Sequence, residues 1–308
     1  MSDPAPPRRP SLPTRSAADL AQHMRMPFEP RAMALMALPM TGSDVIIATF
    51  PKAGTTWTQQ ICHGLRSNGD MNFKEVSWVA PWIEQGHMFG IDANIPQQFA
   101  PRVFKTHLPY AQVNKGARYI HVVREPKDTL VSFYNFMSGG VVDPTAISLT
   151  TFAEAWLLAD QLGERTDPDA PFGANLYNYW RHLLDWWDAR AHAPVLTLTY
   201  EQMRADLPRH VARIADFMGI DADAQVLDVA TRQASFEFMH THKDQFSDEI
   251  PGIPRRFEKV VRGEVGAHRS LVSEELSARI DAAWRRYITP VLGFTSYEDF
   301  STALAAAG

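Results

Sequence analysis

The segment TFPKAGTTWTQQI, residues 49–61, constrains this chain more than any other, because it prescribes three structures in succession. The run DVIIATF at 44–50 is almost continuously apolar and β-branched, as in a strand covered on both faces of a parallel sheet. A Pro-Lys-Ala-Gly turn follows, and Thr55, Thr56 and Trp57 open an apolar helix. Backbone N–H groups at a helix start lack partners within the helix and point outwards. Gly54 lets the backbone approach a ligand closely, and Lys52 and Ala53 complete the turn, with Lys52 adding a mobile positive charge. Together these features read as a phosphate cradle, to which Thr55 and Thr56 add hydroxyl donors. The pattern is not G-x-x-x-x-G-K-[ST], since Lys52 precedes its glycine. Taken alone, the segment also reads as an ordinary strand-to-helix turn with a convenient N-cap.

The same alternation recurs along the chain. Further strand-like runs are RVFKT (102–106), RYIHVV (118–123) and PVLTLTY (194–200), and apolar residues at helical spacing predict helices over 55–66, 127–136, 151–162, 175–190, 207–218 and 274–288. This is βαβ repetition without a composition break. The expected fold is therefore α/β: a single P-loop-like domain over 21–308, with a central, mostly parallel sheet, the 44–50 strand at its centre and helices on both faces. Residues 1–20, rich in proline and arginine, read as a flexible arm. The stretches 163–173 and 248–270 read as long loops, the second of them functional.

Composition narrows the function. A net charge of −5 argues against a broad basic surface for nucleic acid, so any anion site is local. The run AMALMALPM is too short to span a bilayer, and no apolar signal segment follows the N-terminus. A single cysteine, Cys62, permits no intrachain disulfide and reads as inert helix packing. The expected location is the cytoplasm.

A second strand-to-helix segment, YIHVVREPKDTLVSFYNF, places Arg124 at a strand end and Ser132 two turns into a helix, where both can face one ligand. Guanidinium binds phosphate bidentately, and ligands of open α/β sheets collect outside the carboxyl ends of the strands. The competing reading of Arg124 is a salt bridge to Glu125 or Asp128.

Together, PKAGTTW and VVREPKDTLVSFYNF resemble the cytosolic sulfotransferase family, and the resemblance runs from about Arg15 to the C-terminus. It implies a donor, 3′-phosphoadenosine 5′-phosphosulfate (PAPS), and a spent nucleotide, 3′-phosphoadenosine 5′-phosphate (PAP), with no metal required. By position, Lys52, Gly54, Thr55 and Thr56 hold the 5′-phosphosulfate end and Trp57 stacks on adenine. Arg124 and Ser132 hold the 3′-phosphate. RVFKTHLPY resembles the family's catalytic strand end, which makes His107 the general base, with Lys105 stabilising the sulfuryl group in flight. LTLTYEQMRADLPRH implies an adenine contact from Tyr200, and ASFEFM implies further nucleotide contacts from Ser235, Phe236 and Met239.

VVRGEVGAHRS resembles the loop that closes over the 3′-phosphate, with Arg262 and Gly263 in place. Here Val261 stands where arginine is common and His268 where tryptophan is common, so the loop holds the donor less tightly or by different contacts. The family's C-terminal dimer motif is not recognisable, and the oligomeric state stays open. His240 and His242 lack the accompanying ligands of a metal site.

The resemblance implies direct in-line transfer to a hydroxyl of a small organic acceptor, an alcohol or phenol. Trp78, Trp82, Phe89, Phe133 and Met137 are candidates either for its surroundings or for the core. Two rival readings stand beside this one. A P-loop kinase needs a Walker lysine and a magnesium ligand that find no place in the sequence. A nucleotide-binding domain without chemistry would have no use for both His107 and Lys52.

Overall fold

A computed structural model describes residues 12–24, 38–86, 90–91, 96–159, 178–249, 256–257, 259–260 and 263–306. Four strands, β1 (Val45–Thr49), β2 (Val103–Thr106), β3 (Arg118–Val123) and β4 (Val195–Thr199), form a sheet in the order β2-β1-β3-β4. Every pairing is parallel: Ala48 is level with Thr106 on one side and with His121 on the other. β1 is central and buried along its whole length, which explains its lack of polar alternation. The chain moves from β1 to one side and from β3 to the other, so its direction reverses between these two strands, where open α/β sheets bind their ligands.

Each face of the sheet is covered. On one, Val45 and Ile47 pack with Ile61 and Leu65 of α2 (Thr55–Ser67) and with Val211, Ile214 and Met218 of the helix Leu207–Met218. On the other, Ile46, Ala48, Phe104 and Tyr119 meet Trp186 of the helix Tyr179–Ala189. A third cluster joins α3 (Pro126–Met137) to the helices Leu149–Ala155, Glu274–Tyr287 and Tyr297–Ala306, and it takes in Phe50 and Ala53 from the turn after β1. The turn is therefore seated on packed core.

Several sequence expectations shift. The 151–162 helix runs instead over Leu149–Ala155, capped by Ser148, and ends where Trp156 leaves helical geometry to stack on Phe50 at 5.3 Å. The 175–190 helix starts at Tyr179, because the Asn178 side chain accepts from the Arg181 N–H and caps it there. α1 (Ala17–Met24) buries Leu20 completely, and Thr14 bridges to Val142. Burial of a leucine side chain contributes about 1.5–3 kcal/mol, enough to hold a short helix in place. The loop over 163–173 lies outside the described residues.

Candidate active site

The carboxyl ends of the strands bring the predicted residues together. After β1, Lys52 and Gly54 both have positive φ, 69° and 106°, and this tight turn aims the start of α2 back over the sheet edge. Gly54 is the helix N-cap and offers no side-chain acceptor, so the first N–H groups of α2 face outwards. A Cβ on Gly54 would lie 3.0 Å from the Tyr200 ring, so glycine is required by space as well as by φ. The Lys52 ammonium sits 4.4 Å from the centre of the Phe136 ring on α3. Ser132 is four residues before Phe136 and shares its helix face, which turns Ser132 towards the same region.

His107 follows β2 and is buried. Its Nδ1 lies 2.7 Å from the Thr49 carbonyl oxygen, which can only accept, so Nδ1 carries the proton and Nε2 keeps the basic lone pair. The same Thr49 places its hydroxyl 2.5 Å from that of Thr55, the first residue of α2. One residue at the end of β1 thus fixes both the histidine and the anion-facing helix. Glu84, fully buried, accepts from the His107 backbone N–H at 2.7 Å and from the Thr106 hydroxyl at 2.9 Å. Burial raises the Glu84 pKa against the opposing pull of these hydrogen bonds. Trp82 packs edge-on against His107 at 5.0 Å, and Lys105 lies over the same indole at 4.8 Å while donating to Ser77 Oγ.

Arg124, at the end of β3, ties the two halves together. It donates to the Lys52 carbonyl at 3.2 Å and to the Glu264 carbonyl at 2.9 Å, and its guanidinium covers the Tyr200 ring at 4.4 Å. The anticipated alternative, an ion pair with Glu125 or Asp128, is not formed among the described residues: Asp128 accepts from Gly266 and His268, and Glu125 accepts from the Asp128 backbone N–H. Arg124 Nε is buried without a hydrogen-bond partner, an orphaned donor of the kind that an anionic ligand satisfies. Tyr200 meets Trp57 edge-on at 5.2 Å, and the Trp57 indole donates to the Ala234 carbonyl at 2.7 Å, which joins the wall to the next segment. Ser235 there caps the helix Phe236–Thr241, and Met239 is buried in the same cluster as Trp57 and Tyr200. Gly263, with φ of 61°, approaches Phe236 so closely that a Cβ would lie 2.7 Å from its ring.

The structure therefore gathers Lys52, Ala53, Gly54, Thr55, Trp57, His107, Lys105, Arg124, Tyr200, Phe236 and Gly263 around one sheet edge, with Thr56 and Ser132 on helices that open onto it. Arg262 and Phe89 lie outside the described residues. Trp78 is half exposed, whereas Phe133 and Met137 belong to the core, with Phe133 against Trp156 at 4.7 Å. Thr49, Glu84 and Phe136 were not singled out by sequence, and Asp128 entered only as a possible ion-pair partner of Arg124. The first two act on His107 through backbone groups, which leave no side-chain motif.

The sequence matches the family profile of the sulfotransferase domain over residues 42–291. It is 29% identical over 252 residues to an amine sulfotransferase of Oryctolagus cuniculus, covering 77% of this chain and 78% of that one. It is 28% identical over 263 residues to sulfotransferase 1A1 of Mus musculus, covering 80% and 84%. In fold it resembles mouse sulfotransferase SULT7A1, solved with PAP, with a TM-score of 0.62 and 20% identity over 92% of this chain and 95% of that one. Retinol dehydratase, solved with androsterone and PAP, superposes with a TM-score of 0.63 at 19% identity over 83% and 84%. A profile that spans most of the chain and lands on this cradle identifies the protein as a member of the sulfotransferase family, an enzyme of sulfuryl transfer.

Proposed function

We propose that the protein transfers a sulfuryl group from PAPS to the hydroxyl of a small organic acceptor, an alcohol or a phenol. The observation that carries this reading is Thr49, whose carbonyl holds His107 while its hydroxyl holds the first turn of α2. Base and anion cradle thereby share one anchor, as an in-line displacement requires.

In this reading the donor supplies an activated sulfuryl group on a good leaving phosphate. Lys52, Gly54, Thr55 and Thr56 bind its 5′ end, and Arg124 and Ser132 bind the 3′-phosphate; the orphaned Arg124 Nε fits that assignment. His107 Nε2 takes the proton from the acceptor hydroxyl as the oxygen attacks sulfur. Lys52 neutralises charge that develops on the leaving phosphate, and Lys105 acts on the sulfuryl oxygens. Trp57, Tyr200 and Phe236 offer faces for adenine, with Ser235, Met239 and Gly263 beside them. Trp82, edge-on to His107, supports an acceptor with apolar surface. A covalent step through Cys62 is disfavoured, since burial pushes its thiol up to about 12.

The test is a transfer assay with PAPS and two acceptors, a simple alcohol and a phenol, beside thermal shifts with PAP and ATP. Transfer, together with stabilisation by PAP and not by ATP, is the expected result. Stabilisation by ATP alone, with no sulfated product, overturns the reading.

A further inference from the structure

We propose that Asp128 and His268 are positioning residues that clamp the 263–270 segment over the 3′-phosphate site, and that the proton on His268 sets how fast a 3′-phosphorylated nucleotide leaves. The inference rests on the assignment of Arg124 to that phosphate. It concerns the position where the sequence carries histidine in place of tryptophan.

Three hydrogen bonds converge on one carboxylate. Asp128, in the first turn of α3, accepts from the Gly266 N–H at 2.7 Å, from the His268 N–H at 3.0 Å and from His268 Nδ1 at 2.8 Å. Two residues before this, the Glu264 carbonyl lies on the Arg124 guanidinium, and one residue earlier again Gly263 presses on the Phe236 ring. The segment is thus fixed at three points, and two of them, Arg124 and Phe236, are walls of the nucleotide site. Asp128 is the only one of the three that contacts no ligand in the proposed arrangement. It belongs to the fastening.

The charge around His268 favours its protonated form. Glu125 Oε2 lies 3.6 Å from Nδ1, and carboxylate oxygens of Glu125 and Asp128 lie with a His268 ring nitrogen within 4.8 Å of one another. The hydrogen bond to Asp128 raises the His268 pKa, burial opposes it, and Glu125 adds to the rise. Burial pulls Asp128 upwards, but its bonds to His268 and Gly266 outweigh this and hold it below the usual carboxylate range, so it stays ionised throughout the window. Burial pushes Glu125 up to about 7. The cations nearby are Lys127, whose ammonium is 2.7 Å from Asp281 on the helix Glu274–Tyr287, Arg124 below Asp128, and Arg269 beside Gly266. Glu264 reaches the cluster through its backbone.

The sign follows. A histidine with a raised folded pKa contributes its charge–charge attraction below its ordinary pKa and loses it as pH rises through the raised value. Above that point Nδ1–H still donates to Asp128, but to an uncharged ring, so the clamp slackens without opening. Tryptophan at this position has a donor and no titration. A phosphate monoester ionises a second time near pH 6, which by itself tightens binding to Arg124 as pH rises, so the effect of His268 must be read against a variant that keeps the ligand's own dependence.

The experiment measures PAP dissociation by stopped flow from pH 6.5 to 8.5 in the parent and in His268→Gln, which keeps a neutral donor. The ratio of the parent rate to the variant rate is expected to rise about three- to tenfold across this range, the scale of one charge-assisted contact. Asp128→Asn should release PAP faster at every pH; if it fails to fold, the His268→Gln ratio decides alone. Adenosine 5′-phosphate, which is PAP without the 3′-phosphate, serves as the reference nucleotide. A clear preference for PAP with a ratio that does not change with pH overturns the clamp. Equal affinity of the parent for both nucleotides overturns the 3′-phosphate site and the clamp with it.

Discussion

In the proposed reading, His107 is a general base prepared before any substrate arrives. The Thr49 carbonyl holds Nδ1–H at 2.7 Å and Glu84 holds the backbone N–H at 2.7 Å, so tautomer and ring orientation are both set. Replacing His107 with alanine should lower turnover on a simple alcohol at least about a hundredfold, the low end for a positioned base, and leave PAP affinity near the parent value. An acidic phenol, partly ionised already, should recover part of the rate as pH rises; calorimetry and initial rates on one preparation check both halves. At the proposed 3′-phosphate site, Arg124→Ala should erase most of the preference for PAP over the nucleotide without its 3′-phosphate, about 1.5–3 kcal/mol by titration calorimetry. Both residues were legible from sequence as residues. Their partners were not: a backbone carbonyl carries no signature, and Glu84 lies 23 positions before His107, joined to it only by the fold.

At the scale of elements, β1 stood out because a strand covered on both faces of a parallel sheet leaves no solvent side, so VIIAT is almost continuously apolar, whereas VFKT, RYIHVV and VLTLT carry polar residues and were legible as short β-branched runs. The helix Leu207–Met218 was legible end to end, with Asp206 as cap, Pro208 in the first turn and Gly219 in left-handed geometry at its end. The helices Ala224–Gln233, Phe236–Thr241 and Tyr297–Ala306 escaped notice: two are short or weakly apolar, and each is set by packing against the core more than by propensity. The turn between β1 and α2 joins both scales. Gly54→Ala must place a Cβ 3.0 Å from Tyr200 at a φ of 106°, which costs about 1–3 kcal/mol. Tyr200 carries the Arg124 guanidinium on its face, so relief by moving the ring disturbs the proposed 3′-phosphate site as well. The expected outcome is a melting temperature lowered by several degrees together with weakened PAP binding; an unchanged value of either removes the steric link between turn and wall.

Across the whole molecule, the groups that titrate out of place decide how it meets acid. His63, His121 and His182 are buried: burial and Arg66 take His63 down to about 4, burial and Arg190 take His121 down to about 3, and burial with His121 and His107 takes His182 well below its ordinary value. His121 and His182 lie 5.5 Å apart between the sheet and Trp186, so charging either repels the other. As pH falls below the ordinary histidine value near 6.5, the unfolded chain takes up these three protons and the folded chain does not. Glu125 works in the opposite direction, since its folded form, raised to about 7, gains a proton that the unfolded chain does not yet bind. His210 is lowered by burial as well, and burial raises Glu84, Asp185 and Glu201 as it does Glu125, so the buried histidines drive a fall in stability on acidification that these carboxyls oppose; each such ring contributes up to about 1.4 kcal/mol per pH unit below about pH 6. Thermal unfolding recorded at pH 7.5, 6.5 and 5.5 should show a melting temperature that drops with growing steepness. Replacing both His121 and His182 with glutamine removes two of these protons and should flatten the profile, whatever the double substitution does to stability at pH 7.5. A parent curve with no slope, or a double variant that keeps the parent's slope, would show that these buried rings are not what makes the fold acid-sensitive.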